Sequence, residues 1–136
     1  MAKKGKVRWA EAPAAQDYPA ASSYLRLVAV PGEVEALVKA LSEAPTVHQA
    51  AKDILRAAGL ALLPADDPEV VKDVKKVAKG ESLSPILLVR GNLAEGRSLQ
   101  IADGYHRVCA SYHLGEDTEI PCRIADVPGA DVSRNI

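Results

Sequence analysis

Residues 99–107 read Leu-Gln-Ile-Ala-Asp-Gly-Tyr-His-Arg. Leu99 and Ile101 give a short strand pattern that runs into Asp103-Gly104 and then, with no linker, into a helical pattern opening on His106 and Arg107. A strand that ends in glycine and opens a helix leaves backbone N–H groups unpaired at the positive end of the helix dipole. That is a natural seat for an anion, and for phosphate in particular. Arg107 adds a planar, permanently charged fork that matches phosphate oxygens, and His106 a donor whose charge changes near neutral pH. The plainer alternative is a helix start in which Asp103 is the N-cap while His106 and Arg107 are solvated.

On the C-terminal side of this stretch, Tyr105, Val108, Cys109 and Tyr112 recur at i, i+3, i+4, i+7 and predict a buried helix face that Gly115 ends. Residues 119–124 read as a last strand, with Pro121 placing it near a sheet edge or at a strand start. On the N-terminal side, the continuous apolar run at 85–89 suits a buried strand. The turn residues from Gly91-Asn92 to Gly96 fold the chain back into a strand at 99–102 as a hairpin. Earlier, Asp67-Pro68 supplies a cap and a first-turn proline for a helix carrying Val70, Val71, Val74, Val77 and Ala78 as far as Gly80. Its opposite face is charged, with Lys72, Asp73, Lys75, Lys76 and Lys79.

The first part of the chain is less regular. Thr46 and Gln49 stand at capping-box spacing and predict a helix start, with Val47, Ala50, Ala51, Ile54, Leu55 and Ala58 as its stripe and Gly59 at its end. Val34, Leu37, Val38 and Leu41 mark another helix, stopped before Pro45. Residues 24–30 alternate as a strand would and run into Pro31-Gly32. The first 22 residues have two prolines, Pro13 and Pro19, and no period; they are expected to be a flexible tail, which Trp9 and Tyr18 could pin to the surface. The sum is a single α+β domain over 23–136, a small mixed β-sheet with helices packed on it.

Composition narrows the partners. The chain has 136 residues, enough for one core and too few for two ordinary domains. Lysine and arginine number 17 against 18 aspartates and glutamates, so no bulk field draws the chain to nucleic acid or to a membrane. Lys3, Lys4, Lys6 and Arg8 do crowd the N-terminus. No apolar run approaches the length of a membrane span, and no signal peptide follows the start. Cys109 and Cys122 have neither metal-type spacing nor disulfide density, which makes a reducing cytoplasm the expected setting. His48 is expected to be solvated in a first helical turn. His113 lies one helical repeat beyond His106, but two histidines without a third ligand predict no metal site.

Residues 62–125 resemble the core of the ParB/sulfiredoxin-like superfamily. The resemblance rests on an ordered series: Leu62-Leu63-Pro64, the helix at 68–79, the run at 85–89, Asp103-Gly104-Tyr105-His106-Arg107, Ala110, Leu114-Gly115 and Ile120-Pro121. It covers about half of the chain. It implies that the helix-opening turn holds the phosphates of a nucleotide such as ATP, ADP or CTP, with Mg²⁺ as a candidate companion, through Gly104, Tyr105, His106 and Arg107. Superfamily membership alone assigns no activity.

The branches of the superfamily are separated by particular residues. Sulfiredoxins carry a catalytic cysteine where this chain has Tyr105, and Cys109, a turn further on, reads as a core residue, which argues against thiol repair chemistry. The chromosome-partition branch adds helix-turn-helix and dimerisation domains that match nothing here, and the near-neutral charge argues against strong DNA binding. A nuclease would draw on Asp66, Asp67 and Asp103 as metal ligands. The nucleotide-dependent free-serine kinases are nearest in layout. Asp103, His106 and Arg107 match their pattern, whereas Tyr105 replaces a histidine, Ala65 a loop histidine and Asp66 a loop glutamate. The resemblance thus names Asp103, Asp66 and His106 as candidate catalytic residues of a phosphotransferase or nucleotide hydrolase. A nucleotide-sensing or protein-interaction module that keeps the cradle without turnover is the alternative from another class. The oligomeric state and the role of residues 23–60 stay open.

Overall fold

The structure is a computed structural model that describes residues 6–128. Residues 1–5 of the expected tail, with Lys3 and Lys4, and residues 129–136 of the expected domain lie outside the described residues. In chain order the elements are β1 (Arg8–Trp9), α1 (Asp17–Leu25), α2 (Pro31–Glu43), β2 (Val47–Ala50), α3 (Ala51–Ala58), α4 (Pro68–Ala78), β3 (Ser82–Leu83), β4 (Ile86–Val89), β5 (Gln100–Asp103), α5 (Tyr105–Leu114) and β6 (Glu119–Ala125). A 3₁₀ turn at Leu93–Glu95 joins β4 to β5.

The apolar run at β4 organises the rest. All four of its residues are buried, and their side chains alternate between two separate cores. Ile86 and Leu88 face a core made with α3, α4 and α5; Leu87 and Val89 face one made with α1 and α2. The main sheet has the order β2-β6-β4-β5, with β6 parallel to β4 and antiparallel to β2, and β5 antiparallel to β4. A mixed sheet therefore lies between two helical layers, as the continuous apolar run requires. β1 and β3 form a separate parallel pair. Among the described residues no helix is long and apolar enough to cross a membrane.

The β4–β5 pair contains a register shift that sets the site. Leu88 pairs with Ile101, but Leu87 pairs with Asp103, so Ala102 is an extra residue in β5. Cross-strand partners share a face. Asp103 is thereby turned to the side of Leu87, towards α1, instead of continuing the face of Ile101. The bulge gives the acid its neighbours.

Helix α4 begins as the sequence predicts. Asp67 is its N-cap, the carboxylate accepting from the N–H groups of Glu69 at 2.9 Å and Val70 at 3.1 Å. Replacing Asp67 with alanine should lower stability by about 1 kcal/mol, read as a shift in urea midpoint with an unchanged m-value.

Four expectations are corrected. The tail expected at residues 1–22 carries regular structure over its described part: Trp9 and Tyr18 pack on the two cores, and α1 starts at Asp17. Pro19 is tolerated because it lies in the first turn, where N–H groups have no helical partner anyway. Residues 24–30 are no strand; they complete α1 and a turn, and Leu27 and Val28 are exposed. Thr46 and Gln49 do not cap a helix, since residues 47–50 pair with β6 before α3 begins, which also puts the exposed His48 on a strand. Pro121 lies in a central strand, opposite His48, and one residue before the ladder with β4 starts at Cys122. The missing N–H there costs the β4–β6 ladder nothing.

Candidate functional site

Gly104 is the N-cap of α5, with φ of +117°. A side chain there would be strained by the backbone and would also collide with β4, since a Cβ would lie 2.4 Å from Cγ2 of Ile86. Asp103 does not cap the helix, and among the described residues no side chain does. Its carboxylate instead accepts from Nη2 of Arg107 at 2.8 Å. The first-turn N–H groups of α5 are thus left without a side-chain acceptor, as an anion site needs.

These groups open on a cleft of about 240 Å³ between α4 and the start of α5. Gly104, Tyr105, His106, Arg107 and Asp103 line it from one side; Glu69, Lys72, Asp73 and Lys76 line it from α4. The charged face of α4, which reads in sequence as a solvated face, is therefore one wall of the site. Lys72 and Lys76 stand one turn apart, the signal that could have marked them. Lys72 pairs loosely with Glu69 at 3.3 Å, whereas Lys76 has no ion pair among the described residues.

Arg107 is largely covered and committed to the scaffold. Its Nη2 reaches Asp103, the carbonyl of Pro85 at 3.4 Å and, at 3.9 Å, the buried Asp17 of α1. Asp17 is held in turn by the hydroxyl of Ser84 and the N–H of Ala14. Burial pushes the Asp103 carboxyl above the ordinary carboxylate range; Arg107 pulls it down and Asp17 adds to the rise. Asp73 is also raised, by burial, against the opposing fields of Arg107, Lys76 and His106. It makes no ion pair or hydrogen bond among the described residues.

The other residues singled out from sequence are distributed elsewhere. Asp66 is exposed and does not line the cleft, and Asp67 is occupied as a cap, so the acids Asp66, Asp67 and Asp103 are not brought together. No group of three or more metal-ligating side chains occurs among the described residues. Tyr105 donates its hydroxyl to the carbonyl of Ala61 at 2.6 Å, and His113 meets the carbonyl of Leu63 at 2.7 Å. Both hold the loop before α4 against α5, and His113 shares no site with His106. Cys109 and Cys122 are fully buried; burial pushes both thiols up, Cys122 to about 11, so neither is a thiolate at neutral pH.

No protein-family model matches the chain, and no curated protein and no solved structure matches it.

Proposed function

We propose that this chain is a phosphate-binding domain of the ParB/sulfiredoxin-like kind that takes the phosphates of a nucleotide. One observation carries the reading: the uncapped N-terminus of α5 opens into a cleft whose far wall presents Lys72 and Lys76. The backbone N–H groups of Tyr105, His106 and Arg107 would bind one phosphate, and the two lysines the next. Arg107 lends its charge while holding the turn in place. Mg²⁺ takes one or two carboxylates together with phosphate oxygens, and Asp73 is the cleft acid not already paired, so it is the residue to hold that ion.

The test is a thermal-shift series with pyrophosphate, ATP, ADP, CTP and GTP, each with Mg²⁺. At about one hundred times Kd a ligand adds roughly 2.7 kcal/mol, which raises the Tm of a domain of this size by about 10 °C. Lys76→Gln, an exposed change that keeps helix propensity, should weaken binding about tenfold. No shift with any of these ligands sinks the reading.

Asp73 supports a second reading, phosphotransfer. A half-buried carboxylate with a raised pKa, facing the phosphate seat, suits a general base. It would take the proton of an attacking hydroxyl as the new O–P bond forms and the bond to the leaving phosphate breaks. Asp103 is less suited, because Arg107 occupies one of its oxygens, and Asp66 does not line the cleft. In this reading Asp73 is the base and not a magnesium ligand, and Asp73→Asn should abolish phosphate release or serine phosphorylation while leaving nucleotide binding intact or tighter; weakened Mg²⁺-nucleotide binding in that variant would favour the magnesium role instead. The same variant should be more stable than the parent at neutral pH. A raised folded-state pKa means that the folded chain binds the extra proton, so the penalty is absent below the unfolded pKa and fully present above the folded one. Melting curves of both proteins should converge as the pH is lowered through the carboxylate range.

A further inference from the structure

A second cavity, of about 500 Å³, lies at the other end of the sheet from the phosphate cleft. It is lined by the ends of β4 and β6, by α3, and by the β4–β5 turn. Leu99, just before β5, belongs to this cavity and Asp103, at its far end, to the cleft, about 13 Å apart along an extended chain. The size falls in the range of sites that enclose a small organic molecule, about 300–1,000 Å³.

Leu99 and Ile124 give it partly exposed apolar walls with the buried Ile54 and Leu88 behind them. Arg90 and Arg97 stand at its mouth, and its one acid among the described residues, Asp53, is paired with Arg56 at 3.2 Å. The frame is fixed. The N–H of Leu99 donates to the carbonyl of Ala57 at 3.2 Å, and Asn92 and Arg97 exchange hydrogen bonds across the turn. Gly91 lets those segments meet, because a Cβ there would lie 2.5 Å from the carbonyl oxygen of Arg97. Leu93 lines the cavity yet is fully exposed, an apolar side chain at the mouth that none of the described residues covers. Among the described residues the arginine side chains make exposed ion pairs, Arg90 with Asp126 and Arg97 with Glu95, each at 2.6 Å, and such pairs exchange readily for a ligand.

We infer that this cavity is a binding site for a small apolar carboxylic acid, its chain among Ile54, Leu88, Leu99 and Ile124 and its carboxylate on Arg97, with Leu93 folding over it. The guanidinium fork matches a carboxylate, and apolar walls behind a cationic mouth select an amphipathic anion over a neutral or cationic analogue. The site needs nothing from the phosphate cleft, so each can fail alone.

Octanoate titrated into the protein and followed by methyl NMR tests it. Saturable 1:1 shifts are expected at the methyls of Ile54, Leu88, Leu99 and Ile124. Octylamine should bind at least about fivefold more weakly, and Arg97→Gln should weaken octanoate by a similar factor, whereas Arg26→Gln, at an exposed arginine outside the cavity, should not. Ala57→Trp, at an exposed lining position, should block binding without unfolding the chain. Absence of saturable shifts, shifts centred elsewhere, equal binding of octylamine, or full binding by Ala57→Trp would overturn the assignment.

Discussion

Arg107→Ala is expected to destabilise the chain by about 3–5 kcal/mol, the usual cost of removing one partner from a buried ion pair. Arg107 faces two carboxylates at once, Asp103 on β5 and Asp17 on α1, and both are largely shielded from water. Deleting the cation leaves two acids side by side with nothing between them. The loss should therefore depend on pH. Asp103 already has a raised carboxyl, and without Arg107 it rises further, so the penalty is present above that folded-state pKa and fades as the pH is lowered towards the unfolded value. Urea unfolding across pH 4–8 (a window set by the raised carboxylate) reads this directly. Adding Asp103→Asn to the alanine variant should restore part of the stability at neutral pH. An equal loss at every pH would mean that Arg107 matters for its packing and not for its charge.

Gly104→Ala should cost about 2–5 kcal/mol, from a strained positive φ and from overpacking against β4. The added methyl would lie 2.4 Å and 2.8 Å from two atoms of Ile86, which is fully buried and has little freedom to withdraw. Gly96 supplies the contrast. It also has a positive φ, of 70°, but nothing stands near the place of its missing Cβ. Gly96→Ala should therefore lose only a mild backbone part, about 1 kcal/mol, and the Tm difference between the two variants reads the collision with Ile86 together with the greater strain of φ +117°. Equal losses would mean that β4 shifts to make room.

Much of the second half of the chain is legible in the sequence because its local signals agree with one another. Asp67-Pro68, the apolar run at 85–89 and the Gly104 turn each carry a stop or start residue beside a clear period, and each becomes the expected element. The first half misleads because its signals are weak or imitated. α1 buries Asp17, Ala21 and Leu25, a set too small and too polar to look like a helix face. β2 is an exposed edge strand with little apolar content, and the spacing of Thr46 and Gln49 happens to copy a capping box. The turn of the candidate site was visible, but its far wall was not. Lys72, Asp73 and Lys76 form an ordinary polar helix face until the tertiary packing of α4 on α5 sets them opposite Gly104. The role of Arg107 was also half hidden, since its second acid, Asp17, is 90 residues away in a stretch without periodicity.

The alternation of β4 between two cores has a practical meaning for where this protein can be cut. Residues 62–125, the stretch whose sequence was compared with the ParB/sulfiredoxin-like superfamily, keep β4, β5 and β6 with α4 and α5 but lose β2, α3 and the whole layer of α1 and α2. Trimmed to those limits, the fragment would present Leu87, Val89, Ala102 and Ala125 as a bare apolar sheet surface and would lose Asp17 from beside Arg107. That segment is thus not a portable unit: α1 and α2 cover one face of the sheet and α3 part of the other, and any shortened form must retain all three.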